Sequence, residues 1–336
     1  MRRLRHVYDD LDLKRLERQL GSRAMEVLFE SLAALGRLHP MARLERHGVE
    51  VLRDVAYRDG NLREHRLDVY RPVQRGTEPL PVCLYLHGGG FRILSKETHW
   101  LMGLLFARRG YVVFNASYRL APQHPFPAAL EDAGDALAWV AHNAPAFGGD
   151  LSRLVLAGES AGANLATALS VCCCFERPEP VARTVYELGV VPRGVVPACG
   201  ILQASDAERF GRRKKLPRFV EARMLEVGHG YLPDGGGPGR ELADPLCLLE
   251  QDTPSQRPLP AFYIPVGTSD PLLDDTRRLA AALERRGVPC KASYFPGEVH
   301  AFHAFIWREA ARTCWRETFE FLEQHVPHDW VPQPLI

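Results

Sequence analysis

Ser160, Asp270 and His300 have the types and the chain order that nucleophilic acyl chemistry needs. A serine hydroxyl is a weak nucleophile near neutral pH and requires a base to take its proton. An imidazole serves when a carboxylate fixes its tautomer and stabilises the imidazolium. Ser160 stands in Gly158-Glu159-Ser160-Ala161-Gly162, a G-x-S-x-G pentapeptide. That pattern is common by chance, so its context decides. The apolar run Arg153-Leu154-Val155-Leu156-Ala157 before it predicts a buried strand, and residues 163–169 after it predict a helix. Strand, sharp turn and helix with serine at the apex make a nucleophile elbow. The flanking glycines leave room for a turn too tight for side chains. The free N–H groups of the new helix face any anion that forms beside Ser160.

Attack on an ester creates an oxyanion, which needs N–H donors already in place. Val82-Cys83-Leu84-Tyr85-Leu86 predicts a second buried strand, and it ends in His87-Gly88-Gly89-Gly90-Phe91. Consecutive glycines let backbone amides turn inward without side-chain clash. The expected donors are the amides of Gly88, Gly89 and Ala161, with the choice among the glycines open. His87 reads as structural. Asp270 follows a predicted strand at 261–266 through Gly267-Thr268-Ser269, so it lies at the carboxyl end of the sheet, where the elbow also points. Asp274 and Asp275 read as residues of a helix start. His-Ala-Phe occurs at 300–302 and again at 303–305, so His303 competes with His300 for the role of base.

The elements that must hold these residues alternate. Strands are expected at 49–57, 65–70, 82–86, 111–116, 153–158, 194–200, 261–266 and 290–295. Helices are expected at 97–109, 128–143, 161–175, 274–286 and 308–325. The first two strands flank Asp59-Gly60-Asn61, a hairpin signal. This order predicts an α/β fold with an eight-stranded, mostly parallel sheet and helices on both faces. Two regions break the rhythm. Residues 1–47 carry Leu11, Leu16, Leu20, Met25, Leu28, Phe29, Leu32 and Leu35 at helical spacing, as two amphipathic helices broken near Gly21-Ser22. Residues 203–250 hold a short basic run, Arg212-Arg213-Lys214-Lys215, which reads as a solvated helix face. They also hold the loop Gly235-Gly236-Gly237-Pro238-Gly239, and read as an insertion over the site.

The 336 residues are 46% hydrophobic and 25% charged with a net charge of +1, an ordinary globular balance that offers no electrostatic case for nucleic acid. No apolar run approaches the roughly 18 residues of a membrane span, so stable membrane insertion is not expected. The basic start, Met1-Arg2-Arg3-Leu4-Arg5-His6, lacks the apolar core of a signal peptide. Eight cysteines form no C-x-x-C pair and lie mostly in apolar surroundings. Buried thiols in a reducing, cytoplasmic setting are the expectation, with no metal site.

These motifs resemble the hormone-sensitive-lipase-like branch of the α/β-hydrolases. The resemblance rests on His87-Gly88-Gly89-Gly90-Phe91, Ser117-Tyr118-Arg119-Leu120-Ala121-Pro122, residues 126–132, the elbow pentapeptide and Asp270-Pro271-Leu272, and it covers about residues 65–325. It implies an esterase without metal or organic cofactor. It also implies a helical cap built from an N-terminal segment and an insertion after the sixth strand, here 1–47 and 203–250, on a catalytic domain of 48–202 and 251–336. The family's base lies in a loop after the last strand with glycine upstream, which favours His300 over His303. At the elbow Glu159 stands where the family often has Asp, and Ala163 where it has Gly. Tyr118 and Arg119 are expected to hold the loop after strand 111–116, and Asp68 and Asp132 to make structural contacts. Phe91, Phe210, Phe219, Met224 and Tyr231 are candidates to line the substrate pocket.

The expected function is hydrolysis of a small-molecule carboxylic ester, of short to medium chain length, by a monomer or homodimer. An amidase or deacetylase would use the same triad. A small-molecule receptor on the same fold is the reading from another class, and relatives of that kind have lost the histidine retained here. His300→Ala should abolish turnover, by more than about 10³-fold, while His303→Ala should lower it only modestly. Steady-state kinetics on the purified, folded variants checks this, and the reverse pattern would move the base to His303.

Overall fold

The computed structural model describes residue 27 and residues 30–73, 78–213, 217–233, 237 and 239–328. The expected helices before residue 27 lie outside the described residues. The sheet contains β1 (Val49–Ala56), β2 (Arg66–Pro72), β3 (Leu80–Leu86), β4 (Val112–Ala116), β5 (Gly149–Glu159), β6 (Gly194–Ala198), β7 (Ala261–Gly267) and β8 (Cys290–Phe295). The spatial order is β1-β2-β4-β3-β5-β6-β7-β8. β2 runs antiparallel to β1 and β4, and the remaining pairs are parallel. The connection between β1 and β2 is longer than a tight hairpin. It spans residues 57–65 and includes a 3₁₀ turn at Arg63–His65, closed by the Tyr57 N–H on His65 O at 3.2 Å.

Strand side chains alternate between the two faces of the sheet, as the pleat requires. Val82, Leu84 and Leu86 of β3, Val112 and Phe114 of β4, Leu154 and Leu156 of β5, and Phe262 and Ile264 of β7 enter one core. Cys83 and Tyr85, Val113, Val155 and Ala157, and Tyr263 enter the other. Because both faces are buried, the strands read in sequence as continuous apolar runs.

Residues 30–38 form α1, with Leu32, Leu35 and Leu38 exposed. The helices that follow are α2 (Trp100–Ala107), α3 (Ala128–Asn143), α4 (Ala161–Cys174), α5 (Pro180–Glu187), α6 (Arg209–Arg213), α7 (Arg218–Tyr231), α8 (Pro245–Glu250), α9 (Leu273–Arg285) and α10 (Glu309–His325). α5 was not expected from the sequence. It is short, and its buried side chains are Ala182 and Val185, too few to make a periodic signal. Met102, Phe106, Trp315, Phe319 and Leu322 of α2 and α10 cover one face, and the buried side chains of α3, α4, α8 and α9 cover the other. No helix among the described residues is long and apolar enough to cross a membrane, and the cysteines are unpaired.

Between β6 and β7 the chain leaves the sheet for α6 and α7 and returns through α8. The stem is tied at its base. Leu246 N–H donates to Leu202 O at 3.2 Å, Ser205 N–H to Asp244 Oδ1 at 2.9 Å, and Asn164 Nδ2 to both Ile201 O and Ala243 O at 2.7 and 2.9 Å. Arg209 meets the buried Asp275 carboxylate of α9 at 2.5 Å. Burial raises that carboxyl, and the facing guanidinium opposes the rise. Asp275 is thus an anchor for the insertion, beyond the helix-start role its position suggested.

β3 feeds β4 on one side, while β5 lies on the other, so the crevice between β3 and β5 is a topological switch point. Leu86 pairs with Gly158 across it, which puts the glycine loop beside the elbow. The approach is backbone to backbone: a Cβ on Gly162 would stand 2.0 Å from Leu86 O and 2.5 Å from His87 O. Overpacking of this kind costs about 1–3 kcal/mol. Gly162→Ala should therefore lower the thermal midpoint by several degrees, measured by scanning calorimetry. An unchanged midpoint would show that this contact has slack.

Candidate active site

β5 is buried to its end, and the chain turns at Ser160 with φ 53° and ψ −112°, a conformation that costs of order 1–3 kcal/mol in a residue with a side chain. Three backbone bonds hold it there. Ser160 N–H donates to Ala198 O at 2.9 Å, and Ser160 O accepts from Asn164 N at 3.2 Å and Ile201 N at 3.3 Å. Ser160 caps α4, yet its hydroxyl makes no capping hydrogen bond, so it is not spent on the helix.

Asp270 and His300, the candidate acid and base, follow β7 and β8 farther along the same sheet edge. β7 ends at Gly267, and the turn that follows presents Asp270, whose carboxylate is fully buried. Its Oδ1 accepts from Leu272 N at 2.8 Å, and its Oδ2 stands 2.8 Å from His300 Nδ1. β8 ends at Phe295, and its loop folds back over β7: Ser269 N–H donates to Glu298 O at 3.0 Å, and a Cβ on Gly267 would stand 2.1 Å from that oxygen. Burial lowers the imidazole of His300, but the facing Asp270 carboxylate outweighs it and holds the group well above the ordinary histidine range. Ser160 and His300 are not hydrogen-bonded to each other here. In a resting site that contact is often long and tightens with substrate.

The glycine loop departs from expectation at one residue. The Gly88 N–H points at His99 Nε2, 3.2 Å away, so it is not directed at an oxyanion. Among the described residues the amides of Gly89 and Gly90, at φ 114° and 60°, have no acceptor. They lie on the other side of the elbow from Ala161 N, at the first turn of α4. His87 is structural, as expected. It is buried, stacks on Tyr118 at 4.2 Å between ring centroids, and contacts Gly88 O through Nδ1 at 2.7 Å, while Tyr118 Oη donates to His87 O at 2.7 Å. Burial first, and the neighbouring His99 second, lower His87 to about 3, so it is neutral. Arg119 holds Asp132 through Nε and Nη2, and the buried Lys96 holds Asp68 at 2.8 Å, as their types suggested.

Two features went unread in the sequence. The Glu159 carboxylate is buried beneath the glycine loop, with His99 Nε2 3.0 Å from one oxygen and His303 Nε2 2.8 Å from the other. Burial would raise this carboxyl, but His99 and His303 together hold it well below the usual range. His303, expected as a packed neighbour, is that second partner. Cys199, at φ 40° just past β6, is the other feature. Burial pushes its thiol up, against the lowering effect of His300. No local spacing marks either one, because the partners stand far apart in the chain.

Of the expected pocket residues, Phe91 and Tyr231 do not line an open cleft. Both are buried and stacked face to face at 3.6 Å, with Phe126 edge-on at 5.6 Å. They pack α7 onto the glycine loop, helped by Arg92 on Glu226 at 2.8 Å. Phe219 is exposed, beneath the Arg223 guanidinium. Phe210 and Met224 border a cavity of about 400 Å³ between α6 and α7.

Comparison with known proteins agrees with this geometry. The α/β hydrolase fold family matches residues 83–304. The chain is 33% identical over 249 residues to the ethyl acetate hydrolase of Pseudomonas putida, covering 73% of each chain. It is 30% identical over 242 residues to the carboxylesterase NlhH of Mycobacterium tuberculosis, covering 70% of this chain and 69% of that one. Among solved structures, an esterase of the bacterial hormone-sensitive lipase family superposes with a TM-score of 0.68 at 25% identity, covering 91% of this chain and 92% of that one.

Removing the charge of Glu159 should leave two buried histidines without their shared carboxylate. Breaking such a pair typically costs about 3 kcal/mol or more. Glu159→Gln should lose that much stability in urea unfolding, and an unchanged midpoint would show that the pairs contribute nothing to folding.

Proposed function

This chain belongs to the α/β-hydrolase family, in its hormone-sensitive-lipase-like branch of carboxylesterases, and we propose that it cleaves esters through an acyl-enzyme on Ser160. The observation that carries this reading is the 2.8 Å contact of His300 Nδ1 with the buried Asp270, on the same sheet edge as the elbow serine. The neutral form of His300 is the active one: with Nδ1–H donated to Asp270, its Nε2 presents a lone pair, and the raised basicity lets Asp270 stabilise the imidazolium that forms. Nε2 takes the Ser160 proton as the oxygen attacks the ester carbonyl, then returns it to the leaving alcohol. Water repeats the sequence to release the acid. The oxyanion is received by Ala161 N and the amides of the glycine loop, fixed in advance by α4 and by the packing of α7.

Residues 203–250 act as a cap, and its helix α7 sits directly on the donor loop: a Cβ on Gly90 would stand 2.5 Å from Val227 Cγ2. The substrate is a short- to medium-chain ester. The Pseudomonas putida relative named for ethyl acetate supports a small substrate. So does the use of Phe91 and Tyr231 in packing instead of a long apolar trough. The retained Asp270–His300 pair favours an enzyme over a receptor.

The test is release of p-nitrophenol from acetate, butyrate, octanoate and palmitate esters by wild type and Ser160→Ala. Wild type should favour the shorter chains, and the variant should lose at least about 10³-fold in kcat/KM while remaining folded. More than about a tenth of wild-type activity in the variant would remove Ser160 as nucleophile.

A further inference from the structure

Among the described residues, one group of side chains brings three metal-ligating atoms together: Cys199, Asp270 and His300, all within 4.8 Å of one another. Ester hydrolysis uses the acid and the base. Cys199 has no part in it, yet it is firmly placed. Its thiol is buried within 4.8 Å of the donor atoms of His300 and Asp270, and its N–H donates to Pro265 O at 3.0 Å. Its left-handed φ of 40° is held by the backbone at the end of β6, where Ala198 O also receives Ser160 N–H.

Thiolate sulfur, imidazole nitrogen and carboxylate oxygen form a donor set suited to a borderline-soft divalent cation, with bonds of about 2.3, 2.0 and 2.0–2.2 Å to zinc. Atoms around such an ion stand about 3–4 Å apart, so the widest pair here must close by no more than about 1–2 Å and the His–Asp pair must open slightly. Asp270 and Cys199 are buried, but the His300 side chain is 38% exposed, which gives an ion a way in.

We infer that Cys199, Asp270 and His300 form an inhibitory site for Zn²⁺ or a cation of similar softness. This rests on the triad reading above, because the effect works through the base. Zinc forms bonds to Sγ, to Nδ1 and to an Asp270 oxygen. The Cys199 S–H bond breaks and its proton goes to solvent. The Nδ1 proton is transferred through water to Nε2, so the imidazole stays neutral with its tautomer reversed. Nε2 then carries a hydrogen and has no lone pair for Ser160. Water fills the fourth position. One proton is released per ion from the Cys199 thiol, and a second where the imidazole starts protonated; nothing is oxidised or reduced, and removing the metal restores the enzyme.

The experiment titrates chelator-treated wild type, Cys199→Ala and Cys199→Ser with zinc chloride during p-nitrophenyl butyrate hydrolysis. Without metal the variants should hydrolyse at rates close to wild type. Wild type should be inhibited at micromolar zinc and recover with EDTA, while the variants should need at least about tenfold more. The serine variant keeps the side-chain volume, should alanine disturb packing. A second measurement needs no turnover: Co²⁺ added to Ser160→Ala protein should give a thiolate-to-cobalt charge-transfer band in the near ultraviolet, absent when Cys199 is also replaced. Equal zinc sensitivity in wild type and variants, or no such band, overturns the site. Absence of hydrolysis by metal-free wild type would instead defeat the esterase reading, and the cobalt band would still decide the metal site.

Discussion

The arrangement depends on one close approach, the first turn of α4 pressed against the end of β3. Gly158 and Gly162 meet the carbonyls of Leu86 and His87 at distances no Cβ would permit. That contact forces the chain to reverse at Ser160 within a single residue, and the cost appears as its positive φ. It also sets the spacing between Ala161 on one side of the contact and Gly89 on the other, the two halves of the proposed oxyanion site. A site built on rigid backbone in this way is preorganised before substrate arrives, which is where electrostatic catalysis gains most.

Behind that contact lies a buried charge. Glu159 immediately precedes the nucleophile, and its carboxylate bridges His99, which faces the Gly88 amide, and His303, which follows the base by three residues. The loops after β3, β5 and β8 therefore share one anion. A buried carboxylate paired on both oxygens has few alternative geometries, and each loop constrains the other two.

The insertion between β6 and β7 acts through packing. Its stem is fixed by Asn164 on α4 and by Arg209 on Asp275, so α4 and α9 both hold the insertion. Its far helix closes on the glycine loop through the Phe91–Tyr231 stack. Phe91 and Tyr231, two of the aromatics expected to line the substrate pocket, thus seat the insertion on the glycine loop. Cys199, just past the end of β6, lies between the elbow and Asp270 without a part in the proposed hydrolysis.

The sequence by itself determined the strands, the helices that cover the sheet at 100–107, 128–143, 161–174, 273–285 and 309–325, and the strand–turn–helix at Ser160, because these signals are local. Apolar runs bounded by turns mark buried strands, and the small residues around Ser160 mark a turn that nothing larger fits. The order of Ser160, Asp270 and His300 carried the chemistry, since each follows a strand that ends on the same sheet edge. What only the tertiary structure decided is pairing across distance. His99 and Glu159, Cys199 and His300, and Phe91 and Tyr231 have no spacing that predicts contact; the sheet order and the return of the cap bring them together. Burial then decides what each does. The same solvent exclusion that makes Glu159 a shared anchor turns Tyr231 from a candidate ligand surface into core, and points the Gly88 amide at a histidine instead of at the substrate.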